Sequence, residues 1–253
     1  MTPRIVAVVN QKGGVGKTTT SVNLTHALAR QGKKVTVIDL DPQCHLAVAL
    51  GVVSKQQAGI DLVMLGESRF EQQLLPVRDN LNLVVAGPRL QEIEQLNKGG
   101  SHRGDLLRKA LMADIGEQDF IFIDCPPSSG ILVANALIAA DELLVPMTSD
   151  YMALQGLSHL MGTIKRFETA LNRKYRLQLV MSRYIPSRRL SKDVLETIKK
   201  YFPGQILATP IRETAALAEC PSFGKTIFEY RPGWRSAQDF TSLAIDFLEE
   251  RVM

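Results

Sequence analysis

The densest group of chemically useful side chains is a glycine-rich turn that carries two lysines and two threonines. Residues 12–19 read KGGVGKTT and follow an apolar run from Ile5 to Val9. The glycines let backbone N–H groups approach phosphate oxygens without interference from side chains. The second lysine brings positive charge to the outer phosphates, and the next hydroxyl is placed to ligate Mg²⁺. The pattern predicts a phosphate-binding loop followed by a helix whose positive end faces the nucleotide, formed by Gly13, Gly14, Val15, Gly16, Lys17, Thr18 and Thr19.

Acidic residues follow two further apolar runs. Asp39 and Asp41 lie at the end of the run from Val35 to Leu40, and Asp124 ends the run at 120–123. Doubly wound sheets bind ligands at the C-terminal ends of their strands. An acid at such a strand end, beside a phosphate loop, holds Mg²⁺ through water and the loop hydroxyl. We therefore predict a metal site at Asp124 and Thr18.

The elements that position these groups alternate between apolar runs of strand length and amphipathic stretches of helix length. This alternation predicts one α/β domain over residues 1–253, with a mostly parallel twisted sheet and helices on both faces, of P-loop NTPase type. Towards the C-terminus we expect helices at 152–172, 191–202 and 236–251 and a short strand at 206–208. Residues 97–104 (NKGGSHRG) are expected to form a flexible loop.

Composition narrows the class of protein. The chain has 253 residues, 45% of them hydrophobic, and a net charge of +4, which permits contact with nucleic acid without demonstrating it. No apolar run reaches transmembrane length, and the first residues lack the apolar stretch of a signal peptide. The three cysteines are scattered, without metal-ligand spacing. We expect a cytoplasmic protein with reduced thiols.

The motifs together resemble the ParA/MinD family of deviant Walker A ATPases, most closely its ParA/Soj-type partition proteins. The resemblance rests on KGGVGKTT, on Asp41-Pro42-Gln43 and on the string DCPPS that begins at Asp124. It implies an ATPase with a weak basal rate that uses ATP and Mg²⁺. It assigns Asp41 to orienting the attacking water and makes Asp39 a support for the Mg²⁺ shell or the loop. It also implies that Lys12 reaches the nucleotide of a partner subunit, so that ATP joins a homodimer; the alternative for Lys12 is an ordinary solvent-facing lysine.

The resemblance also implies nonspecific DNA binding in the ATP state, with hydrolysis stimulated by a ParB-like or other adaptor on a cargo. The cargo would be a chromosome, a plasmid or a protein assembly, and the protein would be associated with the nucleoid. Phosphate contacts need clustered basic side chains rather than base-reading motifs. The candidate patch, which could equally be a solvated helix face, comprises Arg183, Arg188, Arg189, Lys192, Lys199 and Lys200. Arg231 and Arg235 are candidates to add to it.

Adenine recognition is implied only by the family's pattern, which places the base between a late strand end and the segment near Pro210. Met181, Ser182, Arg183 and Pro210 are the candidates, although an ordinary strand end and turn explains them as well. The expected arginine is missing from residues 213–218, and Cys44-His45 replaces the usual Gly-Asn, which puts the detailed DNA footprint in doubt.

The two ends of the chain suggest what else to expect. The chain begins at the first strand, so we expect no helix-turn-helix region before it and no sequence-specific operator binding. The last helix carries Asp246, Glu249 and Glu250, which anionic lipid would repel, so we expect no membrane role.

Two other functions share this fold. One is a metabolic P-loop enzyme, such as a ligase or kinase of the dethiobiotin-synthetase type, which would need a substrate pocket with its own polar residues. The other is an electron carrier of the nitrogenase iron-protein type. That carrier needs two cysteines per subunit around a cluster, and the sequence contexts of Cys44, Cys125 and Cys220 do not supply them.

Overall fold

Seven strands form one twisted sheet at the centre of the computed structural model, which describes residues 2–52, 57–95, 104–113 and 115–253. Their order across the sheet is β3-β4-β2-β5-β1-β6-β7, and all neighbours are parallel except β3 and β4. The strands are β1 (Arg4–Val8), β2 (Val35–Asp39), β3 (Leu75–Arg78), β4 (Leu81–Val84), β5 (Phe120–Asp124), β6 (Glu142–Thr148) and β7 (Arg176–Ser182). The expected fold class is confirmed.

Helices cover both faces of the sheet, as the continuously apolar strands require. The α-helices that the structure describes are α1 (Lys17–Arg30), α2 (His45–Ala49), α3 (Ile60–Met64), α4 (Leu90–Gln95), α5 (Leu106–Ala113), α6 (Ile131–Ala139), α7 (Tyr151–Leu171), α8 (Arg189–Tyr201), α9 (Ala215–Glu219), α10 (Ile227–Tyr230) and α11 (Arg235–Glu249). Short 3₁₀ turns occur at Phe70–Gln73 and Cys220–Phe223.

Alternate residues of β1 enter two separate cores. Ile5 and Ala7 pack with α5 to α8 on one face, whereas Val6 and Val8 pack with α1 and α11 on the other. The strand is therefore buried on both sides, and its end is held between β5 and β6. This fixed strand end carries the glycine-rich loop.

Three details of the fold differ from the sequence-based expectations. Strand β3 was not expected; it contains Pro76, which cannot donate to a ladder and is tolerated because β3 is an edge strand. The expected strand at 206–208 is reduced to two isolated bridges, and Pro210 removes a donor soon after them. Helix α8 begins two residues earlier than expected, at Arg189. The expected loop at 97–104 lies outside the described residues except for Gly104.

Candidate nucleotide-binding site

The glycine-rich loop joins β1 to α1 in a conformation that depends on glycine. Gly14 and Gly16 have φ values of 73° and 87°, in the left-handed region that other residues avoid. Asn10 braces the turn, because its side chain donates to the Pro146 carbonyl at 2.8 Å and accepts from the Lys12 backbone N–H at 3.0 Å. The backbone N–H groups at the start of α1 therefore sit at the positive end of a long buried helix.

A cavity of about 680 Å³ opens beside this loop. Its walls include Gly13, Lys17, Thr18 and Asp41, together with Ser182 and Arg183, which bond to carbonyls of the loop. A space of this size is typical of small-molecule and cofactor sites. The cavity lies beyond the C-terminal ends of the parallel strands, where doubly wound sheets bind their ligands.

Thr18 lines this cavity and bonds to Asp124, which is buried behind it, so the two residues of the predicted metal site lie together. The Thr18 hydroxyl donates to Asp124 Oδ2 at 2.7 Å, and the Ser21 hydroxyl donates to Asp124 Oδ1 at 2.8 Å. Burial raises the pKa of Asp124 to about 6, although the two hydroxyl donors oppose that rise. A buried carboxylate beside a hydroxyl is the oxygen chemistry that Mg²⁺ favours, so these residues fit an ion held by Thr18 with Asp124 behind it.

The rest of the Mg²⁺ shell would come from phosphate oxygens and water. Mg²⁺ commonly binds through one or two protein groups plus substrate phosphates rather than in an all-protein cage. The described residues include no cluster of three or more His, Cys, Asp or Glu side chains suited to a metal.

Asp39 is the other acid at the end of β2; it does not line the cavity, and its support for the Mg²⁺ shell or the phosphate loop stays a prediction. Its carboxylate is fully buried and accepts the backbone N–H groups of Asp41 at 3.1 Å and Ala47 at 3.4 Å. Burial and the nearby charge of Asp124 raise its pKa well above the usual range. Asp39 therefore shapes the turn that presents Asp41.

Asp41 lines the cavity from the end of this turn. Its Oδ1 accepts the Gln43 backbone N–H at 3.0 Å, and 9% of the residue is exposed. The carboxylate is thus held by its own turn while facing the space beside the phosphate loop. This position suits a group that orients water for attack on a phosphate.

The two loop lysines occupy different environments. Lys17 is buried, and its ammonium donates to the Lys12 carbonyl at 3.3 Å. Burial lowers the pKa of Lys17, while the charges of Asp124, Cys125 and Asp41 act in the opposite direction. The Lys12 ammonium instead points away from the cavity to the Asp150 carboxylate, with Nζ–O distances of 2.9 and 3.0 Å.

Asp150 holds Lys12 at the exposed start of α7. It is the N-cap of that helix, accepting the Ala153 backbone N–H at 3.0 Å, and it also accepts the Thr148 hydroxyl at 2.6 Å. Burial would raise the pKa of Asp150, but hydrogen bonds from Thr148 and Lys12 hold it below the usual value. The side chains of Lys12 and Asp150 are 36% and 42% exposed, so the pair is open to solvent.

Two of the four adenine candidates, Ser182 and Arg183, line the cavity, and the other two do not. Met181 is fully buried in the core and Pro210 is absent from the cavity lining, so contact falls to their neighbours Ser182 and Ile211. Arg183 does line the cavity; it pairs with Glu213 at 2.6 Å and donates to the Gly14 carbonyl at 3.4 Å.

Sequence reasoning missed Arg212 and Glu213 in this wall. Arg212 is held by two side-chain hydrogen bonds to Asp239, 27 residues away on α11. No local motif marks such a pair. The only local signal for Arg212 and Glu213 is that these two charged residues follow Pro210-Ile211 in the sequence.

The candidate DNA patch is split by the structure. Arg188, Arg189, Lys192 and Lys200 are exposed at or along α8. Lys199 is half-buried and pairs with Glu196 at 3.1 Å, and Arg189 lies 3.7 Å from Asp193. Arg183 belongs to the cavity wall. The basic face of α8 is therefore partly neutralised by its own acids.

No helix in the described ranges is both long enough and apolar enough to span a bilayer.

Comparison with known proteins adds independent evidence. The family model described as an AAA domain matches residues 3–177. Soj, the sporulation initiation inhibitor protein of Bacillus subtilis, is 37% identical over 244 residues, which cover 95% of this chain and 96% of Soj. The chromosome partitioning protein ParA of Myxococcus xanthus is 36% identical over 251 residues, covering 97% and 88% of the two chains.

Two solved structures share the fold over nearly the whole chain. A putative plasmid partition protein from Borrelia burgdorferi, bound to AMPPNP, has a TM-score of 0.85 at 22% identity and covers 98% of this chain and 100% of its own. A cobyrinic acid a,c-diamide synthase from Mycobacterium smegmatis, with a bound ATP analogue and magnesium, has a TM-score of 0.83 at 29% identity. The latter match covers 98% of this chain and 95% of the synthase.

Proposed function

This chain belongs to the ParA/Soj family of partition ATPases, and we propose that it is an ATP-driven switch that positions a cargo on DNA. ATP with Mg²⁺ joins two protomers, the dimer binds nonspecific DNA, and hydrolysis releases it. A ParB-like or other adaptor on the cargo accelerates a slow basal hydrolysis. The cargo is a chromosome, a plasmid or a protein assembly, and the protein works in the cytoplasm on the nucleoid.

The observation that carries this proposal is the placement of two lysines on one phosphate loop. Lys17 is buried inside the loop, where one ammonium suffices to hold the outer phosphates. Lys12 stands on the rim, half-exposed and paired to Asp150 outside the cavity. A second lysine in this position can serve a nucleotide bound by a neighbouring protomer better than its own.

Within the site, the chain's own groups divide the work of hydrolysis. The loop backbone and Lys17 hold the phosphates. Thr18 with Asp124 would hold Mg²⁺, which would supply positive charge against the phosphate oxygens. Asp41 orients water in line with the terminal phosphate. Lys12 from the second protomer neutralises charge that develops as the bond to the leaving group breaks.

Lys12 must leave Asp150 to act in this way. We expect Lys12→Ala to abolish ATP-dependent dimerisation and hydrolysis while Lys17 still permits nucleotide binding. Sedimentation with a nonhydrolysable ATP analogue measures the first effect. The matched control is Lys174→Ala, because Lys174 also pairs with an acid of α7, Glu168, at 3.0 Å but lies away from the loop. A normal ATP dimer formed by Lys12→Ala contradicts the proposal.

DNA binding is supported by the exposed basic residues at the start and along one side of α8. Contacts of Lys and Arg with phosphates release counterions, so affinity must fall steeply as salt rises from about 50 to about 200 mM. We expect binding with the ATP analogue, little binding with ADP, and a shallower salt dependence for Arg188→Ala/Lys192→Ala. Equal binding in the two nucleotides removes the switch from the proposal.

A metabolic ligase is the second candidate, because the Mycobacterium smegmatis synthase has the higher identity of the two structures compared above. The two functions differ in what accelerates ATP turnover. DNA together with a partner protein raises it in a partition ATPase, whereas a small carboxylic acid acceptor raises it in a ligase. The Lys12 arrangement and the identity to Soj and ParA favour the partition function.

A further inference from the structure

An exposed group of aromatic and arginine side chains extends from the turn after α9 to the first residue of α11, and its two arginines were also candidates for DNA contact. We call it the aromatic–arginine patch and define it as Phe223, Tyr230, Arg231, Trp234 and Arg235. Phe223 is 58% exposed and Trp234 is 50% exposed. Two large aromatic side chains this exposed, with a third beside them, are unusual outside interaction surfaces.

The patch has an ordered internal geometry. The rings of Phe223 and Tyr230 stack with centroids 4.9 Å apart and planes 22° apart. The Arg231 guanidinium lies 4.9 Å from the Tyr230 ring centre and 5.3 Å from that of Trp234. Arg231 is itself exposed, so its N–H groups are accessible to a ligand. A planar guanidinium presented in this way binds a carboxylate through two parallel hydrogen bonds.

The free charge of the patch is positive. Glu229 is already paired with Arg78 at 2.7 Å and accepts the Thr226 backbone N–H at 2.8 Å. Glu219 keeps its charge, because its bond of 2.8 Å comes from the neutral Tyr230 hydroxyl, but Arg231 and Arg235 outnumber it. Neither Arg231 nor Arg235 has a carboxylate partner in the ranges that the structure describes. An acidic ligand therefore complements this surface.

The backbone beneath the patch is firmly attached to α1. The Ile227 backbone N–H donates to Asn23 at 2.8 Å, the Thr226 hydroxyl bonds to His26 at 2.7 Å, and Thr226 with Glu229 forms a capping box. Binding to a surface that is already ordered costs less conformational entropy than binding to a mobile loop. The patch is thus preorganised for a ligand.

We infer that the aromatic–arginine patch is a docking site for a short segment of a partner protein that combines acidic with apolar side chains. Aromatic residues and arginine in a partly buried cluster are typical of binding hot spots. Acidic side chains pair with the edges of Arg231 and Arg235, and apolar ones cover Phe223 and Trp234.

Nucleic acid is the less suitable occupant. Duplex phosphates would pair with the arginines but leave the two exposed rings in water. Single strands bind by stacking bases on open ring faces, whereas Tyr230 is already in contact with Phe223 and Arg231.

The test is a selection of random short peptides displayed on phage against the full chain. Peptides are counter-selected on Arg231→Ala/Trp234→Ala. The matched control is Lys109→Ala/Met112→Ala, which removes one exposed cation and one exposed apolar side chain of α5. Affinities are measured by anisotropy of labelled peptides and, in the unsubstituted chain, by the fluorescence of Trp234, its single tryptophan.

We expect the peptides that separate the chain from the patch variant to be rich in Asp or Glu and in apolar residues. They should shift Trp234 emission in a saturable way, lose at least about 10-fold in affinity in the patch variant and none in the control. Arg231→Lys keeps the charge and tests the planar edge, with an intermediate loss expected.

Three results overturn the inference. In the first, no peptide binds the unsubstituted chain better than the patch variant. In the second, the peptides that do so are basic or uncharged, and in the third, duplex DNA or oligo(dT) shifts Trp234 emission with an affinity at least equal to that of the peptides. None of these results affects ATP-dependent dimerisation, so the proposed function stands or falls separately.

Discussion

The two ends of helix α1 differ in how their polar groups are used. At the N-terminal end, Lys17 and Thr18 face the cavity, where Thr18 bonds to a neighbouring functional acid. From the middle of the helix onwards, Asn23 and His26 are buried against the segment at 226–228, and each bonds to a residue more than half the chain away, 204 and 200 residues respectively. The polar groups at the first end are therefore available to a ligand, whereas those of Asn23 and His26 have hydrogen-bond partners within the protein.

This difference implies that residues needed for ATP hydrolysis and residues needed for stability lie at different positions along one helix. Groups at the phosphate end have surroundings that only a bound nucleotide completes, so their loss should affect turnover more than unfolding. Groups at the anchored end hold α10 in place, so their loss should affect unfolding more than turnover. The predictions below test that separation, beginning with the largest effect.

Asp41→Asn should reduce the rate of ATP hydrolysis by at least about 100-fold, because the neutral amide cannot orient water as the carboxylate does. The amide oxygen can still accept the Gln43 backbone N–H, so the free energy of unfolding should change by less than about 1 kcal/mol. Phosphate release and urea unfolding measure the two quantities. Asp79→Asn, in the exposed turn before β4, is the control. A large loss of stability with normal turnover in Asp41→Asn would mean that Asp41 serves folding and not hydrolysis.

His26→Ala should show the opposite pattern. It removes the partner of the buried Thr226 hydroxyl and a ring that meets Phe228 edge-on at 5.4 Å. We expect the free energy of unfolding to fall by about 2 kcal/mol, with hydrolysis per folded molecule nearly unchanged. The control is His159→Ala on the exposed side of α7. If His159→Ala destabilises the protein equally, the anchoring role of His26 is wrong.

The same histidine should make stability depend on pH. Burial lowers the pKa of His26 from 6.5 to about 4, so the unfolded chain binds the proton more readily than the folded one between these values. Stability is therefore present above the unfolded pKa and lost as the pH falls towards 4. Between pH 7.5 and pH 5 we expect a loss of about 1–2 kcal/mol in the free energy of unfolding.

His26→Gln isolates that pH dependence. A glutamine can bond to Thr226 but does not titrate in this range, so its urea-unfolding curves should move less between the two pH values. Equal losses in the two proteins would assign the pH dependence to other groups.

The contrast between the two ends of α1 also explains what the sequence could reveal. Lys17, Thr18 and Asp124 were predictable because the phosphate loop is contiguous and an acid at a buried strand end has few other uses. The contacts of Asp39 were not predictable, because one backbone donor is Asp41 in the turn after β2 and the other is Ala47 in α2, and no local pattern specifies how these two meet.

The long-range contacts of Asn23 and His26 could not be predicted from the sequence. Asn23 and His26 read as ordinary helix residues until the fold brings the segment at 226–228 against them. Met181 was misplaced for a related reason: the alternation along β7 puts Ser182 at the cavity and Met181 in the core. Contacts between distant segments, and the face on which a strand residue lies, require the assembled structure.

The smallest expected effect concerns Lys12, the one group at the phosphate end whose partner we expect to be temporary. Asp150→Asn keeps an N-cap for α7, because asparagine caps helices about as well as aspartate, but it removes the charge that holds Lys12. An exposed pair contributes at most about 1 kcal/mol, so stability should hardly change. The affinity between protomers with a nonhydrolysable ATP analogue should rise by up to about 5-fold, since Lys12 no longer has to leave a carboxylate.

Glu168→Gln, which removes a second lysine-pairing acid on α7, should leave dimerisation unchanged. Sedimentation across protein concentrations distinguishes the outcomes: a weaker dimer in Asp150→Asn means that Asp150 assists the pairing of protomers and does not compete with it.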